Sequence, residues 1–384
     1  MKYLRNLPNH NDYNTFITSS DFTEIQEEKK DVVSFCKLEE HVHYNPYIPP
    51  ETRVVAKFNV TDTTKYTSIL HWDRYKDGTT GISAVEIDGV EQPSVVSSYK
   101  FSTTGEHTVK YTLKDPTMLG PYVFKDCGGL TSVYVPDSVT SIYGNAFENC
   151  SSLTSVTIPN SVTSIWDYVF CGCSGLTRLN SDIDGVFNIP SGVTVIDNSV
   201  FKYCIGLTSV TIPDSVTNIQ SWGFGCCTNL RSVNIGRGVT RIFGYAFSDC
   251  TSLTSIGPVG SGSSVEMPNS LRRISDYAFR GCTGLTSITI PDGLTTIDSS
   301  AFINCTSLTS VIIGSGVTSI ADSAFENCSN LTSIVSNAMT APTINSITFL
   351  GVKTGGTLTV PSGSTGYNVW MEYLDKYGWT KVEQ

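Results

Sequence analysis

Apolar residues recur along this chain in two interleaved phases. Leu153, Val156 and Ile158 follow L-x-x-V-x-I, whose second half alternates with period two and predicts a short strand with one face turned inward. Ala146, Phe147 and Cys150, with Leu153 three further on, are spaced by one to three residues, which predicts a helical turn. Both phases return together. A phenylalanine followed three residues later by a cysteine recurs at Phe124, Phe147, Phe170, Phe201, Phe224, Phe247, Phe279, Phe302 and Phe325, and six of the eight steps are 23 residues long. So short a unit cannot bury a hydrophobic face alone and has to stack on copies of itself. The chain is therefore expected to be a repeat solenoid for most of its length.

One unit, read from Pro159 through Ile165 to Phe170, Cys173 and Leu176, gives P-x-S-V-T-x-I-x-x-x-A-F-x-x-C-x-x-L-T-S-V-x-I with small variations. Each unit reads as one strand, a bend at proline and a short helical or irregular return. The long steps, Phe170 to Phe201 and Phe247 to Phe279, carry eight and nine extra residues. Both insertions follow the strand, just after Leu179 and Ile256, so their loops are expected to project from one edge. The P-D-S-V-T-S-I, A-F-x-x-C and L-T-S-V-T-I-P blocks resemble the BspA-like class of leucine-rich repeats (LRR_5 type) over about 116–361. The resemblance implies an α/β leucine-rich-repeat solenoid that serves adhesion or partner binding at a cell surface, with no catalytic residues to carry over.

Four segments are expected. Residues 1–50 are polar and mixed, end in Pro46, Pro49 and Pro50, and read as a leader or anchoring segment with a linker. In 51–115 five alternating runs, Val54 to Val60, Ser68 to Trp72, Ile82 to Ile87, Val95 to Phe101 and His107 to Leu113, predict a small β-sandwich of immunoglobulin-like shape. Asp88-Gly89 marks a hairpin there. The solenoid occupies 116–361, with Phe349, Val360 and Pro361 in the phase of a tenth, degenerate repeat. Residues 362–384 are expected to cap it, with a helix from Thr365 to Tyr377 stopped by Gly378, and Trp370, Leu374 and Trp379 covering the open end of the core.

Charged residues make up only 16% of the 384 and the formal net charge is −10. No lysine or arginine run appears, which argues against nucleic acid or anionic lipid as partner. No apolar stretch reaches a membrane span, and Met1 to Ser19 does not read as a signal peptide. A trimmed leader, another export route and a phage or prophage origin all fit that start.

Nine of the twelve cysteines share one phase of the repeat. Equivalent side chains on stacked units run parallel about 4.8 Å apart, a poor geometry for disulfides, so these cysteines are expected as a buried ladder of thiols. All five histidines precede the solenoid, so no histidine-based nucleophilic site can form within the repeats. Cys36, His41 and His43 match no familiar metal motif, and Asp182 with Asp184 is a common loop pair, weak evidence for calcium or for hydrolysis. No catalytic residue, cofactor or metal is expected.

Two surfaces remain for binding. Ser and Thr columns such as Thr131, Ser132, Thr154, Ser155, Thr208, Ser209, Thr286 and Ser287 offer every repeat the same contacts. More varied are the positions one and three after the repeat's isoleucine, occupied by Tyr143, Trp166, Tyr168, Trp222, Phe243, Tyr245 and Tyr277. Packing against the neighbouring unit explains many such rings, yet a row of exposed ones makes a recognition stripe. Asp182, Asp184, Phe187, Gly260 and Glu266 mark the candidate loops. The expected function is non-enzymatic binding or adhesion at a cell surface, to a protein or glycan on another cell or host. The alternatives are a structural or receptor-binding component of a phage-like particle and, disfavoured, a carbohydrate-processing enzyme.

Overall fold

A computed structural model describes residues 52–71, 81–257 and 267–384. The expected leader or anchoring segment 1–50 lies outside them, as do Cys36, His41, His43, Gly260 and Glu266. Pro50–Gln384 forms one unit built on a repeated coil. In each coil the L-x-x-V-x-I segment supplies a strand to a first parallel sheet, with Ser155↔Ser132, Val156↔Val133 and Thr157↔Tyr134 in register. After the proline bend the S-V-T-x-I segment adds two residues to a second sheet, as in Ser164↔Ser141 and Ile165↔Ile142. Alternation turns Val156 and Ile165 inward while Ser155 and Ser164 stay at the surface.

The return stroke is not helical, contrary to the one-to-three residue spacing. Cys150 N donates to Phe147 O and Leu153 N to Cys150 O, which are tight turns. Asn145 and Asn149, however, are left-handed, at φ 61° and 59°, and two such residues per coil stop a right-handed helix. Asn145 N, Phe147 N and Asn149 N donate instead to Asp167 O, Val169 O and Cys171 O of the next coil. The coil thus has three ladders and satisfies its backbone by stacking, giving a β-solenoid with little helix.

Stacking also orders the core. Ten phenylalanines from Phe124 to Phe349 lie face to face, with centroids 5.2 to 5.6 Å apart and planes within 3° to 13°. Beside them runs the cysteine ladder. From Cys150 to Cys328 each Sγ–H donates to the carbonyl of the phenylalanine one coil back, at 2.9 to 3.3 Å. Burial pushes these thiols up, Cys305 to about 12, and Cys127, whose Sγ meets Ser68 Oγ at 3.7 Å, to about 12 as well.

Both ends of the stack are covered. β1 (Val54–Val60), β2 (Thr67–Ser68), β3 (Ile82–Ile87), β4 (Val90–Glu91), β5 (Ser98–Tyr99) and β6 (Gly105–Leu113) precede β7 (Met118–Leu119), which opens the second sheet, and β8 (Leu130–Tyr134), the first coil strand. Val54 to Val60, Ile82 to Ile87 and His107 to Leu113 form strands as expected, whereas Val95 to Phe101 is strand only at Ser98–Tyr99 and Ser68 to Trp72 only at Ser68, Trp72 lying outside the described residues. Asp88-Gly89 closes the β3–β4 hairpin, both residues at positive φ. Instead of closing on itself as a separate sandwich, the segment joins the solenoid: β1 pairs antiparallel with β8 and with β6, and β6 with β3. The physical reason is that the first coil presents an unpaired strand edge, and β1, with Val54, Ala56, Phe58 and Val60 all turned inward, supplies the missing partner. Tyr111 packs edge-on against Phe124 at 5.1 Å, its hydroxyl donating to Ile69 O.

At the other end α1 (Tyr367–Leu374), a 3-10 turn at Asp375–Tyr377 and left-handed Gly378 follow the strand of the tenth repeat, Thr357–Val360. Trp370 is fully buried against Phe349, ring centroids 5.4 Å apart, and its Nε1–H donates to Pro342 O at 2.8 Å. Trp379 lies over Gly356, where a Cβ would sit 2.3 Å from the ring. A last strand, Thr380–Glu383, which the sequence pattern did not announce, pairs parallel with Thr357–Val360. It closes the sheet with an exposed, charge-bearing edge.

The first insertion has an unexpected form. Arg178–Leu179 and Val186–Asn188 both enter the first sheet, in register Arg178↔Val186 and Leu179↔Phe187. The extra residues thereby add a strand to the first sheet with no counterpart in the second. Phe187, expected in a loop, is consequently fully buried at 0% exposure, its ring 5.7 Å from Phe201. The second insertion, 258–266, lies outside the described residues.

Two outcomes test this packing. In the native protein the ladder thiols should resist Ellman's reagent at pH 8 and titrate only in denaturant, since a thiol pushed up to about 12 holds almost no thiolate there; rapid native labelling of those positions would contradict the ladder. Trp370→Ala should destabilise by about 3 to 5 kcal/mol, read by denaturant unfolding. A loss below about 1 kcal/mol would show that the C-terminal segment does not seal the stack.

Candidate functional site

The seven candidate aromatics fall into two columns rather than one row. One position after the second-sheet isoleucines stand Tyr143, Trp166, Asp197, Gln220, Phe243, Ser275 and Asp298. Because each isoleucine points inward, this column lies outward, beside the column one position before it: Ser141, Ser164, Val195, Asn218, Arg241, Arg273 and Thr296. Three positions after the isoleucines stand Asn145, Tyr168, Ser199, Trp222, Tyr245, Tyr277 and Ser300, all left-handed at φ 56° to 61°. Bulky residues rarely accept that backbone, but here the fold imposes it on every coil.

Stacking separates the rings that hold the coil from those that face solvent. Trp222, Tyr245 and Tyr277 lie parallel at 4.5 and 4.8 Å, and Lys202 Nζ sits 3.8 Å above the other face of Trp222. A Cβ at Gly225 would lie 2.5 Å from the Trp222 ring, so its inner edge is covered too. These three are half-buried and stacked on one another. Tyr143 and Trp166 also stack, at 5.5 Å and 8°, but the following coil offers Asp197 where a third ring would stand. Trp166 is 48% exposed and Tyr168 41%. Phe243, between Gln220 and Ser275, is half-buried, with no ring partner among the described residues.

Beside Trp166 the second sheet is interrupted. Its strands form one group ending at Ser164–Ile165 and another starting at Val195–Ile196. In neighbouring coils the residue after the isoleucine donates its amide back, Trp166 N to Ile142 O and Gln220 N to Ile196 O. Among the described residues Asp197 N makes no such bond to Ile165 O. The cause is the added strand of the first insertion. It advances the first sheet by two strand spacings, ~9.6 Å, while the turn ladder advances by one, keeping Tyr168 N on Asn198 O at 2.9 Å. The second sheet, caught between, parts. Asn198 N and Ser191 N reach across to side-chain oxygens, Asp167 Oδ1 at 2.8 Å and Asn160 Oδ1 at 3.2 Å.

Asp197 sits in this notch, half-buried and without a hydrogen-bond partner among the described residues. Burial, and then the charge of Asp167, pushes its carboxyl up to about 6. Neither acid was singled out by the sequence pattern. The signal was a carboxylate interrupting a column of rings and amides.

Elsewhere the surface is committed to structure. Thr154, Thr208, Thr254 and Thr309 donate their hydroxyls to carbonyls of the preceding strand at 2.9 to 3.2 Å, so the hydroxyl columns tie coils together. Asp184 pairs with Arg178 at 2.9 Å and accepts from Thr177, while Asp182 stays exposed. Among the described residues no three His, Cys, Asp or Glu side chains gather as a metal site. His107 lies between Asp88 Oδ2 at 2.7 Å and Thr103 O at 2.9 Å, closer than the Thr103 hydroxyl at 3.4 Å, so neither ring nitrogen is free to act as a base toward it. Cations absent as a run in sequence meet in space: Arg241 and Arg273 are register partners, and Arg273 pairs with Asp298 at 2.7 Å.

The Asp197 environment predicts a pH effect. Its folded value lies above the unfolded 3.8, so the contribution to stability is present below about pH 4 and lost as pH rises through about 6. Asp197→Asn should abolish that fall, raising the melting temperature relative to wild type at pH 7 but not at pH 4; parallel curves for both proteins would refute the assignment.

No curated protein matches the chain. Among solved structures it is similar to a T. pallidum leucine-rich repeat protein, 26% identical over 46% of this chain and 77% of that one, TM-score 0.40. A leucine-rich repeat protein from Bacteroides ovatus ATCC 8483 is 22% identical over 74% and 90%, TM-score 0.31. A leucine rich cell surface protein from Faecalibacterium prausnitzii A2-165 is 27% identical over 59% and 84%, TM-score 0.26. Among the described residues no helix is long and apolar enough to cross a membrane. The BspA type leucine rich repeat region matches in six copies over residues 94–183, 185–261 and 259–366, and with well over half of its length so matched, the chain belongs to the BspA-type leucine-rich-repeat family.

Proposed function

We propose that this chain is a non-enzymatic binding protein of a cell surface, and that it reads its protein or glycan partner with the outer face of its second sheet. Leucine-rich-repeat folds serve protein interaction in general, and the family match supports that role here. The observation that carries the reading is the contrast between two surfaces. The threonine column is repetitive and bonded to the backbone, whereas the second-sheet face varies along the coils and exposes Trp166. Discrimination between partners requires contacts that differ along the surface.

Binding of the full chain to immobilised host proteins and glycans tests this. Trp166→Ala with Tyr168→Ala is expected to weaken the selected interaction by ~2 kcal/mol, about 30-fold. Thr208→Ala with Thr286→Ala should change it less than threefold. Normal binding by the aromatic pair of variants, with an unchanged melting curve, would move the site elsewhere.

A further inference from the structure

We infer that the notch between Trp166 and Asp197 is a subsite for one neutral sugar ring of a glycan, which rests on the surface-binding reading and narrows its ligand class. Three independent features of the notch converge on that chemistry. Trp166 has one face covered by Tyr143, in parallel planes at 5.5 Å. Its other face must look along the solenoid axis toward the next coil, where Asp197 replaces a ring. An open indole face beside a polar neighbour suits the C–H face of a pyranose, apolar on one side and hydroxylated around its rim.

The second feature is backbone. The parted sheet leaves the Asp197 amide and the Ile165 carbonyl on opposite sides of a gap without the bond that joins their equivalents in neighbouring coils. Backbone groups at a half-buried position are ordinarily paired, and groups that lack a protein partner take one from water or a ligand. A donor and an acceptor left without each other on neighbouring strands match a hydroxyl, which accepts and donates at once. The third is the Asp197 carboxyl, half-buried and unpartnered. A carboxylate accepts from two vicinal hydroxyls, and Gln220 stands one coil further in the same outward column with an amide that does both.

The alternatives fit less well. A peptide strand inserted into the gap would need both sides parted by two full spacings. At the turn Tyr168 N still reaches Asn198 O at 2.9 Å, so the opening is closed at that end. An anionic sugar would meet Asp167 and Asp197 together and be repelled. A neutral ring is the guest that the walls accept.

The experiment uses the full-length protein and a panel of immobilised neutral oligosaccharides, with methyl glycosides of glucose, galactose, mannose and N-acetylglucosamine as soluble competitors. Binding to at least one neutral glycan is expected, with loss of at least about tenfold in affinity for Trp166→Ala and for Asp197→Ala separately. Trp166→Phe should retain most of it, and Thr309→Ala, in the hydroxyl column of the first sheet, should stay within threefold. Melting curves establish that each variant folds. No binding to any neutral glycan by folded wild-type protein, or glycan binding indifferent to both Ala substitutions, overturns the subsite. If a protein partner is then captured through Trp166 and Tyr168 and free glycosides do not compete, the surface-binding reading stands and the sugar assignment alone fails.

Discussion

The structure depends on the hydrogen bonds that each coil makes to the next. An isolated 23-residue unit would leave most of its amides and carbonyls to water and its phenylalanine half-exposed. Stacked, it bonds to both neighbours through three ladders, donating forward at the turns and back along the second sheet, and the strand spacing those ladders impose brings the phenylalanine rings to 5.2 to 5.6 Å. The rings and the thiols follow from that spacing. Each cysteine finds the carbonyl of the phenylalanine one coil back because the two ladders share one repeat.

The same dependence explains the ends. A ladder that joins every coil to the next leaves one unmatched face at each terminus, and the chain closes them differently. At the start, β1 lies antiparallel against the first coil strand and Tyr111 meets Phe124 edge-on. At the finish, Trp370 covers Phe349 and a charged strand takes the sheet edge. The two covers share the task of replacing the missing neighbour.

It also explains the notch. Adding one strand to a single sheet is tolerable because the first sheet simply grows, but the second sheet cannot follow while the turns remain in contact. The strain appears as parted strands rather than as a disturbed core, where Phe170 and Phe201 still stack at 5.6 Å, the widest step in the series. An insertion on one side of the solenoid therefore shapes a surface feature on another, next to the most exposed tryptophan of the face.

Much of this was legible in the residues. The Phe and Cys period is a statement about neighbours at a fixed distance, so it announced the solenoid, its buried thiols and a tenth degenerate repeat before any coordinates. Trp370, Leu374 and Trp379 were expected to be covered, because large apolar residues after the last repeat have no other surface to meet, and all three are buried. The turn conformation was not legible: the spacing of Ala146, Phe147 and Cys150 suits a helix, and only the coil-to-coil bonds of Asn145 and Asn149 show why it does not form. Phe187 read as a loop residue because an added strand and a projecting loop have the same length. Trp166 and Trp222 looked alike in sequence, both large and both near an isoleucine. Their difference depends on what stands one coil away, Asp197 beside Trp166 and Lys202 over Trp222. Sequence periodicity determines which positions stack, since it records spacing along the chain. Which faces stay open was decided by tertiary structure, because exposure depends on residues that are distant in sequence and adjacent only after the coils close.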